Sequence, residues 1–120
     1  MKYQFYFPKE DYCDCVLRTF MKLLNKSYDD VKKDLLVIAQ DLGYEKYNEI
    51  DVFEKYFLDN GYSKIDGDNS LAKDYLFDEA NYGVFCFKGD DYHLIPIIKQ
   101  TIYDKNERFW DMKIISLYKK

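Results

Sequence analysis

The chain has 120 residues, 48 % hydrophobic and 19 % aromatic, with a net charge of −4. That length makes one domain, 1–120, able to bury roughly two thirds of its unfolded surface, and the apolar fraction excludes a disordered tail. The acid excess, with no basic stripe beyond the short pairs Lys32-Lys33 and Lys119-Lys120, argues against nucleic acid as a partner.

In chain order, Tyr3-Gln4-Phe5-Tyr6-Phe7 reads as a short strand or extended arm stopped by Pro8. Asp11 to Asp14 is a polar turn. A first helix is expected over Cys15–Leu24, with Val16, Phe20 and Leu23 on one apolar face and Asp14 as its N-cap. A second helix is expected over Tyr28–Leu42. Ser27 caps it, Gly43 stops it, and Val31, Leu35, Ile38, Ala39 and Leu42 face inward. A third begins after Asp51, with Glu54 in a capping-box register, turns Phe53, Tyr56 and Phe57 inward and ends at Gly61. A short fourth helix fits Ser70–Asp78, with Gly83 closing the loop that follows.

The hydrophobic period then changes. Val84–Phe87, Tyr92–Ile98, Thr101–Tyr103 and Lys113–Tyr118 are short β-branched or aromatic runs, with Gly89-Asp90 and Lys99-Gln100 as the turns between the first three. Helices followed by an antiparallel meander make an α+β domain, the N-terminal helices packed on a C-terminal antiparallel sheet. Pro96 removes a ladder donor, which predicts an edge or bulged position for the strand that carries His93.

No run approaches the ~18 apolar residues needed to span a bilayer, and Met1-Lys2 is followed at once by mixed polar and aromatic residues. Neither a membrane segment nor a secretion signal is expected. The three cysteines, an odd number, are therefore expected to be reduced thiols in a cytoplasmic protein.

Three residues carry a chemistry in this pattern. Cys15 falls in the first turn of a helix, where orphan N–H groups and the dipole favour a thiolate. His93, the only histidine, would take and return a proton. Asp104, on the next strand, would hold the other ring nitrogen. If Lys99-Gln100 is a two-residue turn, Ile98 faces Thr101 and Ile95 faces Asp104. His93 and Asp104 are then diagonal neighbours on one face. Each also has a plainer role open to it: a buried thiol, a surface imidazole, the start of the loop Asp104-Lys105-Asn106-Glu107-Arg108. Cys13, Cys15, Cys86 and His93 make a conceivable zinc set, but a C-x-C knuckle strains that geometry, and no metal or cofactor is expected. Cys86, among Val84, Phe85 and Phe87, is expected to be buried and inert.

From Asp14 to Asp104 the chain resembles the small bacterial and phage papain-like cysteine proteases, a branch near the bacteriocin-processing peptidases. Asp14-Cys15-Val16-Leu17-Arg18-Thr19 matches the helix start that carries the nucleophile in that group. His93-Leu94-Ile95-Pro96-Ile97, followed by Ile102-Tyr103-Asp104, matches its histidine strand and acid. The resemblance implies a papain-like fold and a Cys15-His93-Asp104 triad acting on a peptide or isopeptide amide. The chain departs from the group in three places. Tyr92 stands where a small residue is usual, a charged insertion before Trp110-Asp111 makes Asp111 a rival third member, and Lys9 stands where the oxyanion glutamine is expected. Gln4 or the Cys15 backbone N–H would have to replace that donor. The alternative is a non-catalytic module, such as a phage or mobile-element inhibitor of a host enzyme, whose acidic, tyrosine-rich face binds a protein target. Neither motif nor composition specifies the oligomeric state.

Overall fold

A computed structural model describes residues 1–8 and 14–120. Helix α1 runs Cys15–Leu24 and α2 runs Tyr28–Leu42, the bounds the sequence predicts. Both are set by caps. Asp14 accepts the Leu17 N–H and Ser27 accepts the Asp30 N–H; Asn25 and Gly43 close the two C-termini in left-handed conformation. Helix α3 runs Ile50–Asp59. It starts before Asp51, not after it: Glu49 occupies the N-cap position without a side-chain cap bond, and the Asp51 carboxylate accepts the Tyr44 hydroxyl instead. Phe53, Tyr56 and Phe57 are buried as expected, whereas Leu42 is 43 % exposed.

The strands are β1 (Lys2–Phe5), β2 (Ser63–Leu71), β3 (Tyr82–Lys88), β4 (Asp91–Ile98), β5 (Thr101–Asp104) and β6 (Lys113–Lys119). They form one sheet in the order β1-β5-β4-β3-β6-β2. The fold is α+β, but two expectations about the sheet need correction. β1 joins it and runs parallel to β5, so the sheet is mixed. The C-terminal strand β6 does not continue the meander; it crosses back to lie between β3 and β2.

The predicted fourth helix is absent. Ser63–Leu71 pairs with β6 as an edge strand, and only Ala72–Asp74 forms a single 3-10 turn. Apart from Ile65 and Leu71 the β2 residues are polar or glycine and mostly exposed, so no alternation marks them. Backbone pairing with β6 decides the conformation, around a register shift where Asp68 and Asn69 take left-handed φ. Gly83 is likewise inside β3 rather than in a loop. A Cβ there would run into the Phe57 ring, which stacks 4.4 Å from Tyr118.

Two apolar layers flank the sheet. Phe85, Leu94 and Tyr118 pack with Leu17, Phe20, Leu35, Phe53 and Phe57 on the helical side. Val84, Cys86, Ile95, Ile97 and Ile102 pack on the other side with Phe77, Phe109 and Met112.

Pro96 acts differently from the expectation. β4 is an interior strand, with unbroken register to β3 from Tyr82↔Ile97 to Lys88↔Asp91. The effect falls on the β5 side. Ile98 pairs with Thr101 around Lys99-Gln100, both left-handed at φ 48° and 61°. By alternation, Pro96 and Leu94 then aim their backbone groups toward β5. Proline has no N–H to give, and the paired positions end at Ile97↔Ile102. Helix α1 satisfies the backbone left free there: the Thr19 hydroxyl donates to the Leu94 carbonyl at 3.1 Å. The Leu94 N–H favours the ionised form of the Cys15 thiol. Cys15 and Thr19 stand four apart, on one helix face.

Candidate active site

The end of the β4–β5 ladder brings the three singled-out residues together. His93, 3 % exposed, meets Asp104, 2 % exposed, through Nε2 and Oδ2 at 2.8 Å. The pairs Ile98↔Thr101 and Ile97↔Ile102 are those the turn predicts, but the expected Ile95–Asp104 pair is not formed, and His93 meets Asp104 beyond the paired part of the ladder. With Nε2 engaged, Nδ1 is the ring nitrogen left for the thiol, and Cys15 and His93 stand close enough to shift each other's titration. Cys15 itself is half-buried.

Electrostatics push each group in a consistent direction. Burial raises the Cys15 thiol, but the hydrogen bond and charge of His93, with the Leu94 N–H, outweigh it. The net pKa lies below the ordinary thiol value, despite the nearby Asp14 carboxylate. Burial lowers His93, yet its bonds to Asp104 and Cys15 raise it overall. Asp104 would be raised by burial. His93, the Lys105 N–H at 2.7 Å and the Arg108 charge hold it below the usual carboxylate range. Together these favour a thiolate beside an imidazolium, oriented by an ionised carboxylate.

Two arginines sharpen the picture, and the sequence reading gave neither a role. Arg18, 4 % exposed on α1, places a guanidinium nitrogen 3.6 Å from Asp104 Oδ1 and lies over the Phe7 ring. Arg108 brings Nε to 3.7 Å from Asp104 Oδ2 and another nitrogen to 3.4 Å from Asp91. Spacing was the available signal: Arg18 stands one helical turn after Cys15, and Arg108 four residues after Asp104.

Asp14 does more than cap. Its Oδ2 accepts the Tyr47 hydroxyl at 2.7 Å, tying the 47–48 segment to the residue before the nucleophile. A cleft of about 420 Å³ opens between that segment and β4. Cys15 and His93 lie in it beside the apolar side chains of Val16, Phe53, Phe85 and Leu94.

Asp111, Cys86 and Gln4 lie outside the Cys15–His93–Asp104 line. Asp111 is exposed and sits 3.7 Å from Lys88, not at His93. Cys86 is fully buried against the His93 carbonyl and Met112 sulfur, and burial pushes its thiol up, as expected for an inert core cysteine. Gln4 bonds the Phe5 carbonyl from the exposed strand β1 and does not line the cleft. Lys9 and Cys13 lie outside the described residues, and so does any zinc set that needs Cys13. Among the described residues no group of three or more His, Cys, Asp or Glu side chains is arranged to hold a metal ion. Nor is any helix long and apolar enough to cross a membrane. For an oxyanion, the first turn of α1 offers the Cys15 and Val16 N–H groups, which have no intrahelical partner; Leu17 N–H is taken by Asp14.

Comparison with protein-family models, with curated proteins and with solved structures finds no match to this chain.

Proposed function

We propose that the chain is a papain-like cysteine peptidase or amidase, with Cys15 as nucleophile, His93 as general base and acid, and Asp104 as the orienting carboxylate. The observation that carries this reading is the continuous line from Cys15 through His93 to Asp104, built from a helix start and two strands and opening on an apolar cleft. The sequence resemblance to small papain-like proteases points the same way.

In this reading the Cys15 thiolate attacks the amide carbonyl carbon, and the oxygen takes up the negative charge against the α1 N–H groups. Collapse breaks the C–N bond. The amine leaves with the proton that His93 holds, and a thioester remains on Cys15. Water then attacks the thioester carbonyl, giving its proton to His93. The C–S bond breaks, releasing a carboxylic acid and restoring the thiolate–imidazolium pair. The cleft would receive an apolar side chain of the peptide or protein substrate.

The test is the pH dependence of Cys15 alkylation by iodoacetamide, in a Cys13→Ser background, with and without His93→Ala. The expected result is an apparent thiol pKa well below ~8.5 that rises when His93 is removed. An ordinary thiol indifferent to His93 refutes the hydrolase.

One observation favours a protein-binding reading instead. Leu42 and Leu58, 43 % and 50 % exposed, line a groove with Tyr44, Asp51, Glu54, Lys55 and Asp59, in which Lys55 pairs with Asp59 and Lys64 with Glu54. An apolar partner segment fits the exposed leucines of that surface. If binding is the whole function, Cys15→Ala leaves biological activity intact, whereas the hydrolase loses it.

A further inference from the structure

One Arg108 guanidinium nitrogen stands 3.0 Å from both His93 Nδ1 and His93 Nε2. The two lone-pair directions of an imidazole diverge in the ring plane, and Nε2 already meets Asp104. One nitrogen cannot satisfy both by in-plane hydrogen bonds. Equal distances put it on the bisector of the two nitrogens; in the ring plane it would collide with Cε1–H, so it lies over the ring face, a cation–π arrangement rather than a pair of in-plane hydrogen bonds.

The surroundings hold it there. Arg108 bonds Asp91 of β4 at 3.4 Å, its buried Nε stands 3.7 Å from Asp104 of β5 without a hydrogen bond, and the next residue, Phe109, is 1 % exposed and fixed in the core. The Arg108 side chain remains 33 % exposed, so it lies on the outer side of a ring that is itself buried. The titratable groups facing His93 are Cys15 from α1, Asp104 from β5, Cys86 across the β3 pair and Arg108 from the loop after β5. Asp91 and Arg18 act on it through Arg108 and Asp104, and Asp14 through Cys15.

A guanidinium over the ring is attracted to neutral imidazole and repelled by imidazolium. Asp104 and the Cys15 thiolate do the reverse. We infer that Arg108 is a positioning residue of the site: a cationic cover that opposes the pull of Asp104 and Cys15 on the His93 proton, so that the imidazolium can still release it to a leaving amine. This rests on the hydrolase reading. An imidazolium that binds its proton too firmly is a poor general acid near neutral pH.

The experiment uses the chain's single histidine, whose ring proton signal is identified without assignment by mutagenesis. An NMR titration of that signal is run on the wild type, Arg108→Gln and Arg108→Lys. Gln keeps a flat polar cover without charge; Lys keeps the charge. The expected result is a midpoint raised by about half a pH unit or more in Arg108→Gln and close to the wild type in Arg108→Lys. A Gln midpoint that is unmoved or lowered, or one raised equally in both variants, overturns the inference. The wild-type titration and its alkylation profile separately judge the parent reading: a depressed thiol pKa with an unmoved Gln midpoint sinks only the role of Arg108.

Discussion

Asp104→Asn tests the geometry most directly. The carboxylate lies 2.8 Å from His93 Nε2, and both side chains are nearly fully buried. At an effective dielectric of about 20, that separation corresponds to about 6 kcal/mol of attraction between imidazolium and carboxylate, before desolvation is subtracted. Removing one member of a buried pair costs about 3–5 kcal/mol in practice. Asparagine still offers an oxygen to the ring N–H, which places the loss near the low end, about 3 kcal/mol. That is about a hundredfold weaker hold on the imidazole proton. The midpoint of the His93 NMR titration should therefore fall, and the Cys15 alkylation profile should move toward that of a free thiol. Arg18 also loses its Asp104 contact, so urea unfolding should show reduced stability by a similar amount. A folded Asp104→Asn protein with an unmoved His93 midpoint and an unmoved alkylation profile would refute the electrostatic account of the site.

Stability should depend on pH through the same groups. The lowered pKa of Asp104 makes its contribution full above the unfolded carboxylate value of about 3.9, and it is lost as pH falls through the depressed folded value. Urea midpoints of the wild type and Asp104→Asn should converge at the acid end. The raised pKa of His93 has the opposite sense: its contribution is full below about 6.5 and is lost as pH rises through the raised folded value. Cys15, lowered, adds stability above about 8.5, so urea titration of Cys15→Ser should isolate the decline due to His93. Gly83→Ala forces a methyl against Phe57 and should cost about 1–3 kcal/mol by equilibrium unfolding; an unaffected midpoint would mean that the Phe57–Tyr118 stack yields easily. Ser27→Ala removes the bond to the Asp30 N–H and should cost about 1 kcal/mol in the same assay.

Where local rules act alone, the sequence was a sufficient guide. Helices α1 and α2 begin and end where Asp14, Ser27 and Gly43 say they should, because a cap is chosen by residues within one turn of it. The β3–β4 and β4–β5 turns follow from Gly89-Asp90 and Lys99-Gln100, and the latter pins Ile98↔Thr101 and Ile97↔Ile102, where the paired ladder ends. Failures came where a partner distant in sequence decides. Ser63–Leu71 is polar on both faces, and only pairing with β6 makes it a strand. Asp51 looks like a cap from its neighbours but is taken by Tyr44.

For the candidate site the division is similar. The sequence by itself determined the residue types, the helix-start position of Cys15 and the turn that joins the strands of His93 and Asp104, since these depend on caps and local turn geometry. Only the tertiary structure decided that α1 enters the gap beyond Pro96, that Asp104 rather than Asp111 meets the imidazole, and that Arg18 and Arg108 flank that carboxylate. The physical reason is one of range. Capping and pairing act over a few residues, whereas the burial that shifts these charges exists only once helix, strands and loop have closed over them.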